Sequence, residues 1–130
     1  MNVKIDTKEK FSVITPKESD ITANMTEQLI EMLHNYLSKD LPHIILNMKY
    51  INNIDDITAD KIAGIQLQFY EKNASFIVCE LQNSIEKKFK EKDLIDTMNI
   101  TPTESEAWDI VQMEEIEREI MRDFDNSTDN

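Results

Sequence analysis

His43-Ile44-Ile45-Leu46-Asn47-Met48 is a mainly apolar run, and Asn53-Ile54-Asp55-Asp56-Ile57-Thr58-Ala59-Asp60 follows it a few residues later. Ile44-Ile45-Leu46 lacks the apolar–polar alternation of a strand with one wet face. It therefore predicts a central parallel strand, buried on both sides. Beyond the acidic stretch, Lys61 to Tyr70 reads as a helix presenting Ile62, Ile65, Leu67, Phe69 and Tyr70. Strand, acidic loop and helix N-terminus thus come in quick succession. In an open α/β sheet, ligands and partners meet the chain at the carboxyl ends of strands. Free N–H groups at a helix start favour negative charge, which suits Asp55, Asp56 and Asp60. The same residues also suit simple capping, by Asp56 or Thr58.

Upstream, Met1 to Lys10 alternates, with Val3 and Ile5 apolar, and predicts a half-buried strand. Lys8-Glu9-Lys10 is a polar turn into a second strand, Phe11 to Thr15, which Pro16 ends. Ser19, Asp20 and Thr22 are candidate caps for a helix from about Ala23 to Ser38. Its stripe is Met25, Leu29, Met32, Leu33, Tyr36 and Leu37, with His34 at the edge.

Downstream, Phe76 to Cys79 predicts another buried strand. Ser84 is a candidate cap for a short helix, Ile85 to Lys92, and Leu94 to Ile100 reads as a short edge strand. Thr103 and Glu106 have capping-box spacing before a last helix from Glu104 to about Phe124, and Asn126 to Asn130 reads as a disordered tail. Gly64, the only glycine, lies inside a helix, where it suggests close packing on the sheet. The order β-β-α-β-α-β-α-β-α predicts one α/β domain. Its sheet would be mixed but mostly parallel, of about five strands, with helices mainly on one side and an extended C-terminal helix.

The formal net charge is −12, from 26 acidic and 14 basic residues, which argues against nucleic acid or an anionic membrane surface as partner. Residues 101–130 hold ten acids and two bases, whereas residues 1–100 hold 16 and 12, so the excess lies at the C-terminal end. Cys79, the only cysteine, excludes an intrachain disulfide and reads as a core hydrophobe. Neither a signal peptide nor a long apolar span is evident, and a cytoplasmic protein is expected. The sequence offers no glycine-rich phosphate loop, metal-ligand spacing or nucleophile motif, so no cofactor and no catalysis are expected. An alternative use of Asp55, Asp56 and Asp60 is a receiver-like or divalent-metal-binding domain.

The element order and the run from His43 to Asp56 resemble the STAS domain, especially the bacterial anti-sigma factor antagonists. The resemblance extends from about Met1 to Val111, and the domain is expected to occupy residues 1–112. In that family a strand of the type H-I-V-L-N-L leads to a loop reading I-D-S-S-G that opens a helix. The resemblance implies a regulatory module for a sigma factor or related signalling pathway, acting by protein–protein contact. Its partner would be an anti-sigma factor serine kinase, which phosphorylates the first loop serine. Carried across, the loop aspartate falls on Asp55, the phosphorylated serine on Asp56, the second serine on Ile57 and the glycine on Thr58. Asp56 cannot accept phosphate from a serine kinase, and its single charge imitates a phosphoserine only in part. Thr58 is the alternative phosphoacceptor. The expected partner surface comprises Asp20, Thr22, Asn53, Asp55, Asp56, Ile57, Thr58 and Lys61.

Residues 113–130 are expected to form an acidic helical extension and tail. Ala107, Trp108 and Val111 can close the core, while Met113, Ile116, Ile120 and Phe124 continue a stripe among glutamates. That stripe either folds back over its own domain or docks another chain, as a homodimer or an assembly contact.

Overall fold

The computed structural model describes residues 1–128. Strands β1 (Val3–Thr7) and β2 (Ser12–Pro16) form a hairpin, followed by α1 (Ala23–Asn35) and a 3₁₀ turn, Tyr36–Ser38. Strand β3 (Ile44–Asn47) leads to α2 (Asp56–Glu71), and β4 (Phe76–Cys79) leads to α3 (Asn83–Glu91). A two-residue strand, β5 (Ile100–Thr101), precedes α4 (Glu104–Thr128). The sheet order is β1-β2-β3-β4-β5, with β1 antiparallel and every other pairing parallel, so β3 is central as its sequence requires.

Alternation along each strand sorts the core into two layers. On one face, Ile14, Ile44, Leu46, Phe76 and Val78 pack with Leu29 and Leu33 of α1, Ile62, Ile65 and Phe69 of α2, and Ile85 and Phe89 of α3. On the other, Val13, Ile45, Ile77 and Cys79 pack with Ala107 and Val111 of α4. Three helices therefore cover one face, and α4 covers the other alone. Phe11 meets Trp108 edge-on at 5.2 Å between ring centroids, which seals the α4 layer. Burial pushes the Cys79 thiol up to about 12, with Glu80 and Glu104 adding to the rise, so it stays a protonated core side chain at neutral pH.

Several sequence expectations need correction. Ile5 is exposed, because β1 is an edge strand with only Val3 and Asp6 half-covered. Leu67 and Tyr70 are exposed, since α2 turns Ile62, Ile65 and Phe69 inward at the helical period. A Cβ on Gly64 would meet no atom within 4 Å, so this glycine makes no close approach. Instead of a strand over 94–100, the chain makes a 3₁₀ turn at Ile95–Thr97 and buries Met98, leaving two residues to pair with β4. Helix α4 continues through Thr128, so Asn126 to Thr128 of the expected tail are helical, while Asp129 and Asn130 lie outside the described residues. Ser84 does not cap α3. Gln82 holds that position, and the Ser84 hydroxyl donates instead to the Asn52 carbonyl at 2.8 Å.

Candidate functional site

The segment between β3 and α2 is held on two sides. Asn52 and Asn53 N–H groups donate to the Ser19 carbonyl at 2.7 and 3.2 Å, and Ile21 N–H donates to the Asn53 carbonyl at 3.2 Å. Asp20 and Asn53 pair as a parallel bridge. From the other side, Gln82 Nε2 donates to the Lys49 carbonyl at 2.8 Å, beside the Ser84 bond to Asn52. Ile51 and Ile54 anchor the loop in the core. Its remaining side chains therefore stand on a fixed backbone.

Asp55, not Asp56 or Thr58, is the cap of α2. Its backbone is extended, and its Oδ1 accepts from both the Thr58 N–H and the Thr58 hydroxyl at 2.7 Å. The Thr58 hydroxyl bond, and then the Thr58 N–H, hold the Asp55 carboxyl below its usual range. The acidic stretch is thus a cap followed by a first helical turn, since Asp56 to Asp60 are already helical.

Thr58 is 1% exposed, and its hydroxyl also lies 2.7 Å from that of Thr26 in α1. The folded protein does not present this hydroxyl to an incoming enzyme, against the reading of Thr58 as a phosphoacceptor. Asp56 and Ile57, by contrast, point outward, Ile57 being 64% exposed. Lys88 Nζ of α3 stands 3.2 Å from Asp56 Oδ1, and Lys92 Nζ stands 3.2 Å from Asp60 Oδ1. The three aspartates thus serve three separate partners and do not converge, and among the described residues no group of acids, histidines or cysteine is arranged to hold a metal ion.

Thr22, Asp20, Asn53 and Lys61 are exposed, and Thr22 caps α1 by accepting from Met25 N–H. The structure therefore brings Asp20, Asn53, Asp55 and Asp56 together at the carboxyl end of the sheet. Met113, Ile116, Ile120 and Phe124 lie elsewhere, on α4. Sequence reading missed Lys88, Thr26 and Ser84, which reach the loop from other helices. It also missed Asn47, whose Nδ2 donates to Glu80 Oε2 and Glu104 Oε1 at 3.1 Å and so ties the start of α4 to the end of β3. At the opposite end of the sheet, Ser75 N–H donates to His43 Nδ1 at 3.1 Å, so Nε2 carries the proton that meets Glu115 Oε2 at 3.0 Å. Arg118 completes this cluster through Ser75 Oγ at 2.8 Å and Glu115 at 3.2 Å.

A hairpin leading into a parallel βα array, with a capped loop after the central strand, defines a domain class, and the sequence places it. The chain belongs to the STAS domain family, which matches residues 2–107. Among solved structures it is similar to TM1081 of Thermotoga maritima, with a TM-score of 0.75 and 17% identity over 85% of this chain and 94% of that one. It is also similar to an anti-sigma factor antagonist from Mycobacterium paratuberculosis, with a TM-score of 0.72 and 15% identity over 85% and 93%. The Bacillus cell-fate determinant SpoIIAA in its phosphorylated form aligns with a TM-score of 0.63 and 17% identity over 85% and 99%. These likenesses establish the fold. No curated protein sequence matches the chain. Among the described residues no helix is long and apolar enough to cross a membrane.

Proposed function

We propose that the chain is a non-enzymatic, cytoplasmic protein-interaction module of the anti-sigma factor antagonist type, serving a sigma-factor or related pathway. Its partner surface is the loop Asp55–Ile57 with Asp20, Thr22, Asn53 and Lys61, Thr58 holding that loop from inside, and residue 56 is not a phosphorylation switch. One observation carries this reading. The loop is rigidly held and exposes Asp56 and Ile57 side by side, yet it offers no free hydroxyl: residue 56 is an aspartate, residue 57 an isoleucine, and Thr58 is inside. A phosphoserine would add about −1.5 to −2 charge at neutral pH. Here Asp56 adds one negative charge, and Lys88 balances it. The loop is thereby fixed in one electrostatic state.

The natural candidate partner is an anti-sigma factor serine kinase of the same cell. The test measures its affinity for the native chain and for Asp56→Ser and Ile57→Ala. A partner that reads this loop loses about tenfold or more in affinity on each change, through a lost charge-assisted contact or a lost apolar contact. The native loop is expected to take up no phosphate from the kinase, which mass spectrometry of residues 55–58 would read directly. Affinity unchanged within about twofold by both substitutions would reduce the loop to a capped helix start. A divalent-metal role fits less well, because Asp55 is bound to Thr58 while Asp56 and Asp60 face different lysines.

A further inference from the structure

Helix α4 has two faces that differ in chemistry. Ala107, Val111, Glu115, Arg118 and Arg122 recur at spacings of four, four, three and four and share the inner face. Ala107 and Val111 fill the core, and Arg118 and Arg122 both bond Glu115. Met113, Ile116, Ile120 and Phe124 recur at three, four and four on the opposite face. They are 60%, 55%, 60% and 62% exposed. The helix does lie back over its own sheet, but with its other face. This apolar stripe runs for three turns, roughly 18 Å at 1.5 Å per residue.

The charges around the stripe decide what can cover it. Asp109, Glu117, Glu119 and Asp123 are exposed on or beside it. Both arginines of α4 are engaged with Glu115, so among the described residues of this helix no cation lies on the outer face. A second copy paired through this patch would present the same acids to each other, since a two-fold interface matches a surface with itself. Flanking charges of one sign select a partner of the other sign. An anionic membrane or nucleic acid is repelled for the same reason.

We propose that the outer face of α4, from Met113 to Phe124, docks a basic amphipathic helix of another protein. The partner's apolar side lies on the four-residue stripe, and its lysine or arginine rims face Asp109, Glu117, Glu119 and Asp123. This surface lies outside the residues that match the family, and the inference does not depend on the loop reading.

The test uses the full chain and three labelled synthetic peptides. One is a leucine-faced helix with lysine rims, the second has the same face with glutamate rims, and the third is a lysine-rich scramble without an apolar face. The lysine-rimmed helix binds at least about tenfold more tightly than either control. Ile116→Asp and Ile120→Asp each weaken it by about tenfold, as expected where one or two apolar anchors dominate a contact. These substitutions add negative charge, so bulk attraction alone would tighten binding, and tighter or equal binding overturns the proposal. Equal binding of the scramble does the same. Sedimentation of the unliganded chain reads a monomer. A dimer that Ile116→Asp splits would assign the face to a second copy and overturn the proposal as well. Asp56→Ser leaves peptide binding unchanged, so failure here and failure at the loop are distinguishable. Melting curves of Ile116→Asp and Ile120→Asp are expected to match that of the native chain, since both side chains are exposed.

Discussion

Lys88 Nζ on α3 stands 3.2 Å from Asp56 Oδ1 on α2, across 32 residues of chain. The pair sits at the edge of the loop, with Asp56 largely exposed and Lys88 mostly covered. Exposed ion pairs contribute little to stability, because water screens the attraction and two long side chains must be ordered. Lys88→Met is therefore expected to change unfolding free energy by less than about 1 kcal/mol. It leaves Asp56 unbalanced, and a partner that reads the loop responds to that new charge. Urea unfolding and partner titration on the same sample separate the two effects. A large loss of stability would show instead that Lys88 is a structural strut.

Gly64 lies mid-helix with open space where a Cβ would be. Alanine there removes backbone freedom from the unfolded chain and creates no clash. Gly64→Ala should raise unfolding free energy by about 0.5–1 kcal/mol. A fall in the urea midpoint would mean that the folded chain does not accommodate a side chain at this position.

The His43 cluster predicts a dependence on pH. Burial first, and then the Arg118 guanidinium, lower the pKa of this imidazole from 6.5, against the opposing pull of Glu115. Burial raises the Glu115 carboxyl, but the Arg118 bond, His43 and Arg122 outweigh it and leave it lowered. With its folded pKa depressed, His43 binds a proton more readily in the unfolded chain. Its contribution is present above 6.5 and is lost as pH falls from there towards its folded value. Glu115 adds a second loss below 4.5, its ordinary value. Stability should thus fall between pH 7 and pH 5, and His43→Gln should flatten that slope. Equal slopes in the two proteins would place the acid sensitivity elsewhere.

Leu46 has no exposed surface and lies on the central strand between β2 and β4. An aspartate there would be an unpaired charge with no route to water. The cost exceeds about 4 kcal/mol, a large share of a small domain's 5–15 kcal/mol. Leu46→Asp should fail to give a cooperative melt, as circular dichroism would record. A soluble variant with the native melting temperature would contradict the central placement of β3.

What was legible in the sequence followed from local pattern. Ile44-Ile45-Leu46 has apolar neighbours on both sides of the pleat and could only be central. The α1 and α4 periods and the Thr103 cap of α4 were equally direct, the last appearing as a 3.2 Å bond from Glu106 N–H. The errors arose where long-range packing chooses among local options. Any of Asp55, Asp56 and Thr58 can cap a helix, and only the inward turn of Thr58 toward Thr26 settles which one does. Lys88 is one of several lysines on α3, and only the docking of α3 beside α2 selects it. The strand expected over 94–100 lost to the burial of Met98 and to the bond from Asn99 N–H to Gln66 Oε1 at 3.2 Å.

Helix α4 starts where Asn47 holds Glu104, at the loop end of the sheet, and passes the His43 cluster at the far end. Its apolar stripe therefore stands at the other pole of the domain from Asp56 and Ile57. With both proposed surfaces occupied, two macromolecules would be held at once with a fixed separation. Two proteins so held meet at the effective concentration of a short tether, although neither need touch the other. In that arrangement the domain acts as a spacer as much as a binder.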